Sequence, residues 1–252
     1  MKKKLSYYAF ILVLMMSISL ALGGCGGKDS GAEVVNGSEV EENLTQDVKQ
    51  NEIGSEEDAA NFIAALGGTY EELWPVAFQS QYDEAWLNSS AASVGKENAQ
   101  GAVDQLKTVI GGNIYGQEAI NAYEKDPESA MYDCYFKNGV DKISVKGNNI
   151  SGVDASGKEL FSHTYHYTGY DEAMGFYQFE SDDENSGEYT YFFFRGDTPE
   201  TTWHTEFRYG SDAKALLSMD TGAYAYWMQQ ASPPIMIMTW LKMPFICFAQ
   251  KI

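Results

Sequence analysis

The sequence predicts a mainly β chain with flanking helices, its strands running as an antiparallel meander that closes into a barrel. Two observations carry this expectation. Between Asp126-Pro127 and Tyr209, short runs of aromatic and β-branched residues recur at steady spacing, separated by hairpin-type turns. Before them, from Glu57 to Tyr123, apolar residues recur at helical spacing in runs that stop at glycine pairs.

The chain opens with Lys2, Lys3 and Lys4, then an almost wholly apolar run from Leu5 to Leu22, then Gly23-Gly24-Cys25. A basic start, an apolar middle and small residues at the cut make a secretory signal over residues 1–24. Leu22-Gly23-Gly24-Cys25 resembles the lipobox of bacterial lipoproteins, which implies cleavage before Cys25 and a lipid attached to it. The expected product is an extracytoplasmic protein tethered to the bacterial membrane, since each buried acyl methylene contributes about 0.8 kcal/mol. Residues 25–56 follow as the lipidated cysteine and a flexible stalk of Gly, Ser, Asn, Asp and Glu, too polar to bury a core.

The folded domain is expected over 57–228. Ala59, Ala60, Phe62, Ile63 and Leu66 share a helical face that ends at Gly67-Gly68. Tyr70 to Leu87, Ala99 to Ile110 and Gln117 to Tyr123 complete a helical part over 57–126. The β part, 128–209, reads as strands at Met131–Phe136, Lys142–Lys146, Ile150–Val153, Glu159–Tyr170, Phe176–Glu180, Tyr189–Arg195 and Thr202–Tyr209. Asp212 to Met219 and Ala223 to Met228 read as C-terminal helices within 211–228. Residues 229–252 break with everything before them: they hold no Asp or Glu, and Lys242 and Pro244 interrupt an apolar run too short for a membrane span. Codons can be chosen for this tail that, read two bases further on, spell AGIPADYD and later ENAIYLFCAEN, so the tail is expected to be out of frame.

Charge excludes some functions. Removing residues 1–24, which carry three lysines and no acid, shifts the net charge from −19 to −22. Such a chain does not bind nucleic acid by charge, and anionic headgroups repel it. Cys25 serves the anchor, and Cys134 and Cys247 remain in a compartment that permits a disulfide, which the sequence leaves undecided. No nucleophile elbow, HExxH, phosphate loop or dinucleotide fingerprint is present, so no enzyme is expected. The 17 Tyr and 13 Phe read as barrel core before ligand cage, although small barrels do hold one small ligand.

Residues 128–228 resemble the ZinT (YodA) family, lipocalin-like (calycin) zinc-binding proteins of the bacterial envelope, whose domain is also fused to substrate-binding lipoproteins of zinc importers. The resemblance rests on Asn138-Gly139-Val140-Asp141-Lys142-Ile143, on Tyr165 to Tyr170 (YHYTGY), and on Thr198-Pro199 with His204 to Gly210 (HTEFRYG). The family binds zinc through three histidines spaced His, eight residues, His, one residue, His. Pro199 and Gly210 frame His204 as they frame the second of these, so the resemblance implies His204 as a ligand. The third falls on Glu206 and the first on Arg195.

The residues themselves agree in part. Zinc accepts imidazole nitrogen and carboxylate oxygen, and strand residues two apart project to one face, so His204 and Glu206 can grip one ion at the mouth or interior of the barrel. Asp197, at the end of the neighbouring strand, is the candidate third ligand, with Glu200 behind it. The same residues also read as a barrel-end histidine bonded to Glu206 with no metal. Arg195 separates these readings: turned into the site it pairs with Glu206 and opposes a cation; turned to solvent it leaves the site open. His163 and His166, three apart in a strand, face opposite sides and do not chelate one ion together. The expected function is an envelope lipoprotein that binds a divalent metal, zinc before other divalent cations, and buffers it or delivers it to an importer. The alternatives are a metal-free barrel holding a small organic ligand, and a structural or interaction lipoprotein.

Overall fold

Alternation of side chains builds the barrel wall. In Lys142–Lys146, Ile143 and Val145 are buried and Lys146 is exposed, and Asn149–Val153 repeats the period of two, whereas Thr205–Gly210 and Gln229–Ser232 are buried on both faces. The computed structural model describes residues 52–233 other than 113, 127–130 and 203, and only the backbone of 202. The signal segment, Cys25, the stalk as far as residue 51, Cys247 and residues 234–252 lie outside the described residues.

Eight strands form the sheet: β1 (Gly68–Glu72), β2 (Lys142–Lys146), β3 (Asn149–Val153), β4 (Glu159–Asp171), β5 (Phe176–Ser181), β6 (Tyr191–Arg195), β7 (Thr205–Gly210) and β8 (Gln229–Ser232). Each pairs antiparallel with the next, and β8 pairs with β1, so the sheet is a closed barrel with no free edge. Directly opposed residues share a face. The register Tyr70↔Ile143, Val145↔Ile150, Phe179↔Phe192, Phe192↔Tyr209 and Phe194↔Phe207 therefore sets one apolar lining. Its rings meet across the lumen: Phe192 lies 5.9 Å from Phe161 and 5.3 Å from Tyr165, centroid to centroid. Gly152 faces Phe161 across β3 and β4, and a Cβ there would stand 2.2 Å from that ring, so only glycine fits.

Helix α1 (Glu56–Ala65) packs against this lining. Ser55 caps it, accepting from the Asp58 amide at 3.2 Å, and Phe62 stacks on Tyr177 at 4.3 Å. Helices α2 (Leu73–Ala77), α3 (Asp83–Val94) and α4 (Ala99–Ile110) bury a second apolar cluster of Leu73, Trp74, Trp86, Val103, Ile110 and Cys134. Helix α5 (Gln117–Lys125), the short α6 (Pro199–Thr202) and α7 (Ala213–Leu216) complete the described α-helices, beside 3-10 turns at Ser80–Tyr82 and Gly187–Tyr189. No helix among the described residues is long and apolar enough to cross a membrane.

The antiparallel barrel with flanking helices is as expected, but its closure is not. The barrel draws β1 from the stretch expected to be helical and β8 from the first residues of the tail. Tyr70 turns into the lining, where its hydroxyl donates to the Leu66 carbonyl at 2.6 Å, and the helix resumes only at Leu73. Met131–Phe136, expected as a strand, makes only isolated bridges from Asp133 to Gly111 and Trp227. The Asp133 carboxylate accepts from the Tyr135 amide at 3.1 Å and pairs with Lys137, a local bond that competes with extended pairing. Ala223–Met228 is a turn, with Tyr226 at φ 58°, and not a helix. The buried Arg208 guanidinium claims the carbonyls of Leu216, at 2.5 Å, of Ser218, at 2.8 Å, and of Tyr224, so carbonyls that helices would use are held by a side chain.

Candidate metal centre

The connection from β6 to β7 carries the sequence-derived site. Arg195 ends β6, Asp197 follows it, α6 turns the chain, and His204 precedes Thr205 at the start of β7. Thr205 and Phe207 face the lumen with their partners Ala231 and Phe194, so alternation places Glu206 on the outer face of the wall. That departs from the mouth or interior expected for it. Arg195 projects to the same outer face, one residue beyond the inward Phe194. Gln230 of β8 stands directly opposite Glu206. Helix α2 roofs the spot with Trp74.

The contacts form one chain of bonds. The Trp74 Nε1 donates to Gln230 Oε1 at 2.8 Å, and Gln230 Nε2 donates to Glu206 Oε1 at 2.6 Å. Arg195 Nη1 donates to Glu206 Oε2 at 3.0 Å. His204 Nε2 lies 3.6 Å from Glu206 Oε1, an electrostatic contact longer than a normal hydrogen bond. His204 and Glu206 are 1% and 2% exposed, whereas the Arg195 side chain is 30% exposed and reaches the cluster from its solvent side.

Burial alone would lift the Glu206 carboxyl, yet it titrates well below the usual carboxylate range, because the His204 imidazole and the Arg195 guanidinium stabilise the anion. Asp197 goes the other way. Burial lifts its carboxyl, the Glu206 charge lifts it further, and His204 and Arg195 offset this only in part. The structure thus brings His204, Glu206 and Asp197 into one electrostatic neighbourhood, with Arg195 inside it. Among the described residues, no three His, Cys, Asp or Glu side chains are drawn together as a ready metal cage. Glu200 is exposed on α6. His163 and His166 bond separately, His163 Nδ1 to Asp183 at 2.7 Å and His166 Nδ1 to Asp182 at 2.7 Å.

Sequence reasoning missed Trp74 and Gln230. Neither carries a motif, and both enter only through the pairing of β8 with β7. Cys134, a buried free thiol, sits in the apolar cluster beside this network; burial pushes its thiol up, and the Glu206 charge adds to that.

No family model matches the chain, and no curated protein matches it. Among solved structures, the Zn(II)-bound ZinT-like domain of Streptococcus pneumoniae AdcA is similar at 15% identity and a TM-score of 0.45, over 71% of this chain and 89% of that one. Zn(II)-bound AdcA from Streptococcus pneumoniae is similar at 15% identity and a TM-score of 0.41, over 71% of this chain and 35% of that one.

Proposed function

We propose that this chain is an exported lipoprotein, anchored through Cys25, that binds a divalent cation at His204, Glu206 and Asp197 and buffers it or passes it to an importer. The reading is supported by donor chemistry in one place: the buried His204 imidazole lies 3.6 Å from the buried Glu206 carboxylate, and Asp197, whose carboxyl burial lifts first and the Glu206 charge second, shares their electrostatic neighbourhood. A divalent ion between the two carboxylates would lower their mutual repulsion. Imidazole nitrogen and carboxylate oxygen are donors zinc accepts, and three protein ligands leave a fourth position for water, which suits an ion that must be released. With two oxygen donors the site is harder and more anionic than a histidine triad, so manganese and calcium compete better against zinc. Only a neutral imidazole ligates, so binding tightens as pH rises.

Packing disfavours an organic ligand in the lumen, since it would have to displace rings such as Phe161 and Tyr189, stacked at 3.9 Å. The test is calorimetric titration of the metal-stripped mature chain with zinc, beside His204→Ala. Saturable binding by wild type that the variant loses supports the reading. Equal, weak heats from both overturn it and leave the cluster as a structural ion pair.

A further inference from the structure

The geometry points to a second site, on the inner face of the wall, where Thr205, Gln229 and Glu72 take a small ammonium group, free or borne by a primary amine. It goes beyond the cation reading above and does not rest on it. Register brings the three residues together. Thr205 is opposed by Ala231, and Ala231 is opposed by Glu72, so they stand in one row across β7, β8 and β1. Thr205 faces the lumen, and so does Tyr70, two residues before Glu72, which makes the row an inner one. Gln229, two residues before Ala231 on the same face, is diagonal to both Thr205 and Glu72, within reach of a long side chain. Three polar side chains thus surround one alanine in a lining built mainly of apolar groups.

These groups have bonding capacity to spare. Thr205 is 1% and Gln229 0% exposed, and among the described residues neither the Thr205 hydroxyl nor either carboxamide atom of Gln229 has a hydrogen-bond partner. Burial without a partner is costly for such groups. Glu72 is half-buried, and its Oε1 accepts from the Phe136 amide at 2.6 Å. The nearby lysines are taken, Lys142 by Glu71 and Lys137 by Asp133. Burial lifts the Glu72 carboxyl, the Asp141 and Asp133 charges add to this, and the Phe136 amide and Lys137 offset it in part. The spot therefore offers three acceptors, one of them anionic: the second Glu72 oxygen, Gln229 Oε1 and the Thr205 hydroxyl. A primary ammonium carries three N–H donors and one positive charge on a compact head, which matches that set. An anion would be repelled by Glu72 and by the net charge of −19.

Urea midpoints of the mature chain, measured in ammonium, methylammonium, potassium and tetramethylammonium chlorides at one ionic strength, test this. A ligand bound only by the folded state raises the midpoint with its concentration. Ammonium or methylammonium is expected to do so; potassium and tetramethylammonium, which have no N–H donor, are not. An ammonium effect at least equal to that of methylammonium assigns the free ion, and a larger methylammonium effect assigns an organic amine. Glu72→Gln is expected to weaken binding about tenfold, and Gln229→Leu and Thr205→Val about fivefold each. The last two also remove unmet polar groups, so their midpoints without amine are expected to hold or rise while the amine effect shrinks, a split that a purely structural role does not give. Glu71→Gln, on the outer face beside Lys142, is expected to leave amine binding unchanged. Equal stabilisation by all four salts, or an amine effect that survives both Glu72→Gln and Gln229→Leu, overturns the proposal. No effect of any salt also overturns it and leaves the unmet groups to water.

Discussion

On the inner face of β7 and β8, Thr205, Phe207 and Gln229 meet a lumen filled by aromatic rings. On the outer face of the same two strands, Glu206, Arg208 and Gln230 lie under helices and loops. Both faces are buried, yet they follow different rules. The inner face is held by ring packing, which is tolerant of direction and intolerant of lost volume. The outer face is held by charge and by directed hydrogen bonds, which tolerate a lost partner poorly. A carboxylate can remain anionic only where donors surround it, and here the donors come from three separate elements: Trp74 of α2 through Gln230 of β8, and Arg195 of β6. The candidate centre thus lies between the wall and its helical cover, and the lumen serves as core.

Removing volume from the inner face is expected to have the largest effect. Phe192, fully buried and in contact with Phe161, Tyr165, Phe207 and Tyr209, anchors that packing. Phe192→Ala should cost about 4 kcal/mol, read as a lower urea midpoint. A loss no larger than that of a surface substitution would show that the lumen is loosely filled and would reopen it as a ligand cavity.

Breaking the outer face comes next. Glu206→Ala leaves the Gln230 amide and the Arg195 guanidinium without their shared acceptor and should cost about 3 kcal/mol at neutral pH. The pH dependence separates charge from packing. Glu206 is depressed from its ordinary 4.5 to about 2 in the fold, so its stabilisation is fully present above 4.5 and is lost as pH falls towards 2. The stability gap between wild type and Glu206→Ala should therefore narrow over that window in acid denaturation curves. Phe192→Ala should show no such narrowing, and a gap for Glu206→Ala that is flat with pH would assign its effect to volume instead of charge.

The two faces were unequally legible. Alternation located Lys142–Lys146, and short aromatic and β-branched runs between turns located β3 to β7, because each of these strands pairs with its neighbour in sequence. β1 and β8 were not legible. GTYEE and QQAS show no apolar run, and β1 finds its partner Val145 only across a long excursion of chain. The Tyr70–Leu87 stretch looked helical because Tyr70 serves the lumen and Trp74 the outer cluster, two cores that a single period cannot distinguish. At the centre, spacing singled out His204, Glu206, Asp197 and Arg195. It could not show that Glu206 points outward, since one residue of register decides the face.

β8 itself offers the smallest and sharpest test, because two adjacent glutamines divide between the faces. Strand pairing is made by backbone groups and does not inspect side chains, so the fit of β8 is judged by Gln229 and Gln230 themselves. Gln230 is bonded at both ends of its carboxamide. Gln229 is 0% exposed, opposite Phe207, and neither atom of its carboxamide has a hydrogen-bond partner among the described residues. A buried polar group left unmet costs about 1–3 kcal/mol, which is odd at an inner position of an aromatic barrel. A frame break at codon 229 would account for the Gln229 misfit but not for Gln230, one residue on, whose carboxamide is bonded at both ends. Gln229→Leu should raise stability by about 1 kcal/mol, seen as a higher urea midpoint, whereas Gln230→Leu should lower it by breaking the Trp74–Gln230–Glu206 chain. A loss for Gln229→Leu would mean that the inner face does satisfy this amide, and the misfit would no longer support a frame break; resequencing across codon 229 then decides the frame independently of either face.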